Sequence, residues 1–149
     1  MKKIITVSAL ILMTGCASTG SVKNVNEDSG GRKPCVKNFT HEGNMVLGST
    51  FKTNALIENV SKKSAFEKVS KYVAMDGWHI TYSDEDLGII SGSQTVSFGE
   101  GKSAPLNILI NAKGQDSEIS ISFSTSMGVY SPSESVMNDF CKMVNSVAN

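Results

Sequence analysis

The sequence predicts an α+β fold in which an antiparallel sheet of about four to five strands carries two helices on one face. Two observations lead to this prediction. Several segments between residues 46 and 124 alternate apolar and polar side chains, which is typical of half-buried strands. Two other segments repeat apolar residues at helical spacing. Each helix and the sheet have one apolar side. In a chain with the order β-α-β-β-β-β-α, these apolar sides are buried best when both helices pack against the same face of the sheet.

The strands are predicted from their alternation. The first lies between Val46 and Glu58, and the turn that ends the second is the acidic run Asp84-Glu85-Asp86. The side chains expected to face the core are Phe51, Thr53, Ala55 and Ile57; Trp78, Ile80 and Tyr82; Ile90, Val96 and Phe98; Leu106, Ile108, Ile110 and Ala112; and Ile119, Ile121 and Phe123.

Each helix is predicted from a start signal and an apolar stripe. Ser64 and Glu67 resemble a capping box that opens the first helix, and Asp76-Gly77 ends it. The apolar stripe predicted for this helix consists of Ala65, Phe66, Val69, Tyr72 and Val73. Pro132 suits the first turn of the second helix. Its predicted stripe consists of Val136, Met137, Phe140, Cys141, Val144, Val147 and Ala148.

The amino-terminal segment has the layout of a secretory signal. Lys2 and Lys3 precede an uncharged apolar run over 4–13, which is shorter than the roughly 20 residues of a spanning helix. The alternative is a buried or interfacial helix. Met13-Thr14-Gly15-Cys16 follows and resembles the lipobox of bacterial lipoproteins. The resemblance implies cleavage after Gly15 and an acylated Cys16, and Ala17 favours the outer over the inner membrane.

Three regions are therefore expected along the chain: a signal peptide over 1–15, an acylated Cys16 with a flexible tether over 16–34, and one periplasm-facing domain over 35–149. The tether prediction rests on composition, since residues 17–34 are rich in Ser, Gly, Asn and charge. Lys2 and Lys3 leave with the signal, so the mature chain has two more acidic than basic residues. This balance gives no electrostatic case for nucleic acid.

Cys35 and Cys141 are the two cysteines besides Cys16. An export signal places them in an oxidising compartment, where a remaining pair often forms a disulfide. The alternative is two free thiols, with Cys141 acting as a small core residue.

A resemblance covers about half of the mature chain. Ala65-Phe66-Glu67-Lys68-Val69, Gly77-Trp78-His79-Ile80 and Asp86-Leu87-Gly88-Ile89-Ile90 are similar to stretches of the small helix-grip-like domains of BamC-type outer-membrane lipoproteins. The resemblance implies a helix-grip-like fold and a non-catalytic, protein-binding function. It implies no particular site residues.

The sequence predicts no enzyme activity, no cofactor and no metal. Gly101-Lys102-Ser103 resembles the end of a phosphate-binding loop. That motif needs a helix after it, whereas a strand is predicted here, so we expect a hairpin loop. His41 and His79 have no neighbouring Cys or His that would complete a zinc site. The run Asp84-Glu85-Asp86 is better suited to a solvated turn than to a cation loop.

One candidate binding surface remains, on the sheet face opposite the helices. Its predicted residues are short and uncharged: Thr81, Ser91, Ser93, Asn107, Ser120, Ser122 and Ser124, with Thr95 and Asn111 beside them and Ile89 and Leu109 as apolar points. The face is either an ordinary solvated sheet surface or a docking surface for a protein or glycan. We expect a membrane-anchored accessory lipoprotein that binds another envelope protein. The alternatives are a module for a glycan or lipid held between helices and sheet, and a periplasmic inhibitor or immunity protein.

Overall fold

Six antiparallel strands form one sheet in the computed structural model, which describes residues 32–96 and 101–148. Three helices accompany the sheet within those residues. The α+β class and the single antiparallel sheet are confirmed, whereas the expectation of four to five strands and two helices was too low. The predicted signal peptide, Cys16 and most of the predicted tether lie outside the described residues.

The helices are α1 (Arg32–Lys37), α2 (Lys62–Met75) and α3 (Ser133–Ala148). The strands are β1 (Thr40–Asn44), β2 (Gly48–Ile57), β3 (His79–Asp84), β4 (Ile89–Thr95), β5 (Ser103–Lys113) and β6 (Asp116–Thr125). Their order across the sheet is β1-β2-β6-β5-β4-β3, with every neighbouring pair antiparallel. β1 and β3 are therefore the two edge strands.

Two elements are additional to the sequence prediction. α1 begins at Arg32, so residues 32–34 are helical, and the prediction that the tether extends to residue 34 is wrong for these three residues. β1 pairs with the first half of β2, from Thr40 opposite Lys52 to Asn44 opposite Gly48. All five residues of β1 are exposed, which removes the apolar alternation by which a strand is recognised.

The start of α2 differs from the prediction by about one turn. The cap is Ser61, whose side chain accepts a hydrogen bond from the amide of Ser64 at 3.3 Å. The predicted capping box at Ser64 and Glu67 is wrong, because both residues lie inside the helix. At the other end, Gly77 has a φ of +87° and follows the C-cap Asp76, as the sequence predicts.

The core lies between the sheet and the helices. β2, β5 and β6 present alternate buried side chains to it, and the buried stripes of α2 and α3 cover them. Cys35 and Cys141 are both fully buried and form the disulfide that joins α1 to α3, which confirms the predicted bond. Phe51 and Phe140 lie in the same core, with Phe39 in ring contact with both. Ala112 and Ala148, expected to face inward, are exposed near the ends of β5 and α3.

A bulge in β3 reverses one predicted orientation. Ile80 lies opposite Gly92, which is buried, but the register then shifts and Tyr82 lies opposite Ser91. Tyr82 is therefore on the outer face of the sheet and is 48% exposed, so the expectation that it faces the core was wrong. A bulge inserts one residue into a strand and inverts the alternation beyond it.

Candidate functional site: the open face of the sheet

The open face is the side of the sheet that the helices do not cover. Its residues alternate along each strand with the buried ones: Ser91 lies between Ile90 and Gly92, and Ser120 and Ser122 flank Ile121. The predicted face residues on this side are Ser91, Ser93, Asn107, Ser120, Ser122 and Ser124. Thr81 lies at the bulge, and its hydroxyl donates a 3.2 Å hydrogen bond to the carbonyl oxygen of Ser91.

A polar row crosses the open face with one residue from each of the six strands. Successive pairings place these residues side by side: Thr40, Lys52, Ser122, Asn107, Ser91 and Tyr82. Three of them were among the predicted face residues. Lys52 and Thr40 were not, although the alternation of Phe51 and Thr53 toward the core already implies that Lys52 points outward.

A second row lies beside the first and has an apolar centre. It consists of Asn54, Ser120, Leu109, Ile89 and Asp84. Leu109 is 39% exposed and Ile89 is half-buried. β1 does not extend this far, and Asn38 takes its place by donating to the side-chain oxygen of Asn54 at 2.8 Å and to its backbone oxygen at 3.0 Å. The apolar centre is thus bordered by amides and hydroxyls.

A shallow groove of about 620 Å³ runs along these two rows. Residues of both rows line it, including Lys52, Asn107, Leu109 and Ser122, and Asn38 stands at its end. The side chains at the centre of the groove are short, and Asn38 and Thr40 line one border of it. The volume lies within the range of roughly 300–1,000 Å³ that is typical of small-molecule sites.

Part of the open face is bonded internally. The hydroxyl of Ser91 donates to the side-chain oxygen of Asn107 at 2.9 Å, and the hydroxyls of Thr50 and Ser124 are 3.3 Å apart. Lys113 and Glu118 form an exposed ion pair at 3.4 Å at one end of the sheet. These contacts fix the orientation of several side chains before any partner arrives.

Other side chains in the groove are available for hydrogen bonds with a partner. Within residues 32–96 and 101–148, the Lys52 amine and the hydroxyls of Ser120 and Ser122 have no hydrogen-bond or ion-pair partner. The three groups are adjacent, since Lys52 pairs with Ser122 and Ser120 follows on the same side of β6. Together they offer one cationic donor and two hydroxyls to an incoming acceptor.

The charge of the open face differs between its two ends. On the β1–β2 side, Lys52 and Glu42 carry opposite charges, since Glu42 lies opposite Thr50 on the same face. On the β3 side, Asp84 is followed by Glu85 and Asp86 in an exposed turn, so this end is acidic. Asp84 accepts a 3.2 Å hydrogen bond from the Tyr82 hydroxyl and a 2.8 Å hydrogen bond from the amide of Leu87. The hydrogen bond to Asp84, followed by the charge of that carboxylate, raises the pKa of Tyr82 above its ordinary value.

The remaining candidate motifs lie in a hairpin and on an edge strand. Gly101-Lys102-Ser103 belongs to the β4–β5 hairpin, with Ser103 opposite Thr95, as the sequence predicts. His79 is exposed on β3 opposite Ser93. In the part of the chain that the structure describes, no group of three or more His, Cys, Asp or Glu residues is arranged to hold a metal ion.

His41 and Ser133 form a pair that the sequence does not indicate. The Oγ of Ser133 and the Nδ1 of His41 are 2.8 Å apart, and the imidazole stacks on the ring of Phe51 with 4.3 Å between centroids. A catalytic pair also needs a third group to orient the base and donors for a developing oxyanion. The contact fastens β1 to the start of α3, and the expectation that the domain is not an enzyme stays a prediction.

No protein-family model matches the chain, and no curated protein matches it. Its fold is similar to those of several solved structures. Ara h 8.0201, a Bet v1-like protein, has a TM-score of 0.50 and 10% identity over 68% of this chain and 95% of that one. EF2215 from Enterococcus faecalis, a conserved protein of unknown function, has a TM-score of 0.51 and 11% identity over 78% of each chain.

CalU16 from Micromonospora echinospora is more distant, with a TM-score of 0.45 and 6% identity over 74% of this chain and 96% of that one. At these identities the likeness shows the fold alone. The resemblance to BamC-type domains stays a prediction. Among the described residues, no helix is long and apolar enough to span a membrane.

Proposed function

We propose that this protein is a non-catalytic lipoprotein of the cell envelope, anchored by acyl chains on Cys16 and preferentially in the outer membrane, whose domain binds another envelope protein through the open face. The observation that carries the proposal is the pair of rows across the sheet. They combine an apolar centre at Leu109 and Ile89 with a border of amides and hydroxyls. Docking surfaces commonly have this arrangement of an apolar centre and a polar rim.

Short side chains favour docking for an entropic reason. Serine, threonine and asparagine have few rotamers to lose, whereas an immobilised long side chain costs about 0.5–1.5 kcal/mol. The bond between Ser91 and Asn107 already holds two of the row's side chains in place. A partner backbone can approach the sheet closely and find donors and acceptors that are partly preorganised.

The acidic end of the open face supports one orientation of the partner. Asp84 lies in the second row on the β3 side and is followed by Glu85 and Asp86, whereas Lys52 on the β2 side lies near the opposite charge of Glu42 on β1. A partner with a basic group near Asp84 is attracted in one direction and gains no such attraction in the other.

Pull-down from crosslinked membranes tests the proposal. The Ser122→Arg variant has a long cationic side chain in the centre of the polar row. Its matched control is Ser135→Arg, because Ser135 is exposed on α3, on the opposite side of the domain. We expect a stoichiometric envelope partner with the wild type and with Ser135→Arg, and its loss with Ser122→Arg. Retention of the partner by Ser122→Arg contradicts docking through the open face.

The anchor is tested separately. Cys16→Ser removes the proposed acylation site, so the variant is expected to leave the membrane fraction and to lose the partner. Intact-mass measurement of the wild type then shows whether residues 1–15 are absent and acyl chains are present.

A small ligand is the second candidate occupant, and the groove volume of about 620 Å³ favours it. The unpaired Lys52 amine and the neighbouring serine hydroxyls suit the hydroxyl and acidic groups of a glycan. Phe51, Phe140 and the disulfide fill the centre of the space between helices and sheet. A cavity of about 180 Å³ remains beside α3, lined by Trp78 and Phe123, and it is smaller than typical small-molecule sites, so the open face offers the larger location for such a ligand. Native mass spectrometry that detects a bound glycan or lipid, lost in Ser122→Arg, would support it. An inhibitor or immunity role stays an untested alternative.

A further inference from the structure

Five large apolar side chains are exposed together at one end of the domain. Met45, Val46 and Leu47 form the β1–β2 turn and are 53%, 66% and 81% exposed. Met127 and Tyr130, in the segment between β6 and α3, are 65% and 72% exposed. The amide of Gly128 donates a 2.8 Å hydrogen bond to the carbonyl oxygen of Met45, which joins the two segments. We call these five residues the apolar tip.

The backbone of the apolar tip is already hydrogen-bonded within the domain. The side-chain oxygen of Asn44 accepts from the amides of Val46 and Leu47 at 2.8 and 3.1 Å. The amide of Val129 donates to the carbonyl oxygen of Ser126 at 3.1 Å. Because unsatisfied backbone groups strongly oppose transfer out of water, a loop with bonded amides can enter an apolar medium at a much lower free-energy cost.

A lysine stands at the base of the apolar tip. The amine of Lys102 donates a 3.1 Å hydrogen bond to the carbonyl oxygen of Met127, and the residue is exposed. This combination of a cation, exposed aliphatic side chains and a tyrosine suits the headgroup layer and the acyl layer of a bilayer surface. Anionic headgroups attract the lysine, the acyl region accepts the aliphatic groups, and the tyrosine suits the boundary between them.

We infer that the apolar tip inserts into the lipid surface of the membrane that carries the anchor, and so sets the orientation of the domain. The inference goes beyond docking through the open face but rests on the proposed membrane location. The open face runs along the sheet away from the tip, so insertion leaves Ser122 and Leu109 accessible to a partner.

The length of chain between the proposed anchor and the domain permits this contact. Residues 16–31 can span at most about 55 Å when extended. α1, the two residues after it and β1 together cover roughly 32 Å from Arg32 to the start of the tip, even if they were collinear. The tip can therefore reach the bilayer that holds Cys16.

Fluorescence quenching by brominated lipid tests the inference. The acylated full chain carrying Leu47→Trp is reconstituted into vesicles of phosphatidylethanolamine and phosphatidylglycerol, with plain or brominated acyl chains. Leu87→Trp is the matched control. Leu87 lies in the β3–β4 turn at the opposite end of the sheet and is 56% exposed. Its backbone amide donates to the side chain of Asp84, in the same way that the amide of Leu47 donates to the side chain of Asn44. The wild type, which contains only Trp78, supplies the background emission.

We expect the added emission of Leu47→Trp to shift to shorter wavelength and to be quenched by the brominated chains, while that of Leu87→Trp is unchanged. If the chain floats with the vesicles but Leu47→Trp is not quenched, the anchor holds and tip insertion is refuted. The tip is then a surface for a protein. A chain that does not float with the vesicles contradicts both the proposed membrane location and the inference. Quenching of Leu47→Trp and Leu87→Trp alike also overturns the inference, because the contact is then not specific to the tip.

Discussion

The hydroxyl of Thr53 donates a 2.6 Å hydrogen bond to the carbonyl oxygen of Cys35. Thr53 is 4% exposed and Cys35 is fully buried, so this bond lies in the core. Cys35 is also bonded to Cys141 on α3. The short helix α1 is thereby tied to β2 on one side and to α3 on the other, next to Asn38 at the end of the groove.

Thr53→Val is expected to destabilise the fold by about 1–3 kcal/mol, because it leaves the carbonyl oxygen of Cys35 buried without a donor. Valine keeps the shape of threonine, so lost packing contributes little. The control is Thr50→Val, which removes the longer, partly exposed bond to Ser124 and should cost less. Urea unfolding at equilibrium measures both variants, and equal costs would contradict a special role for Thr53.

Reduction or removal of the disulfide is expected to lower the free energy of unfolding by about 2–5 kcal/mol, because the bond closes a long loop in the unfolded chain. The cysteines are 106 residues apart. The double variant Cys35→Ala, Cys141→Ala should melt at a lower temperature and lose its response to reductant. Two free thiols in the wild type under non-reducing conditions would show that the bond does not form.

Gly88→Ala is expected to be more harmful than Gly114→Ala. Both glycines have positive φ, +72° and +69°, so each substitution incurs strain of about 1–2 kcal/mol. A Cβ at Gly88 would also collide with the backbone oxygen of Ile110, whereas nothing lies within 4 Å at Gly114. The collision should add about 1–3 kcal/mol, measured by thermal unfolding. Similar costs for the two variants would contradict the close approach of the β3–β4 turn to β5.

Tyr82 is expected to titrate above the ordinary tyrosine value of 10.0, because its hydroxyl donates to the Asp84 carboxylate. The folded state therefore holds this proton more tightly than the unfolded chain does. Its contribution to stability is present below the unfolded pKa and is lost as the pH rises through the folded pKa. Ultraviolet titration should show Asp84→Asn lowering the pKa of Tyr82, with Tyr82→Phe identifying its signal. No change in Asp84→Asn would rule out this cause.

Much of the fold follows from alternation in the sequence. Ile119 and Ile121 are buried and Ser120 and Ser122 point the other way, as the period of two requires. The apolar stripe predicted for the first helix is also confirmed, because Ala65, Phe66 and Val69 of α2 are buried at helical spacing. These elements pack on a large core, so local pattern and tertiary structure agree.

The errors occur where tertiary structure overrides local pattern. α1 contains Pro34 and spans one and a half turns, and the disulfide and the Thr53 bond hold it in place. β1 is exposed throughout and pairs only with β2, so it carries no apolar signal. The prediction that Tyr82 faces the core was wrong because the alternation of apolar and polar residues does not reveal a bulge. Lys52 was not among the predicted face residues, although the inward direction of Phe51 and Thr53 implies that Lys52 points outward.

Photo-crosslinking in living cells tests docking most directly, with a photoreactive amino acid in place of Thr40, at the exposed border of the open face, or of Ser135 on α3. Docking through the open face predicts one strong crosslinked envelope protein from position 40 that is absent from position 135. No crosslinked protein from position 40, or the same products from both positions, would contradict docking through the open face of the sheet.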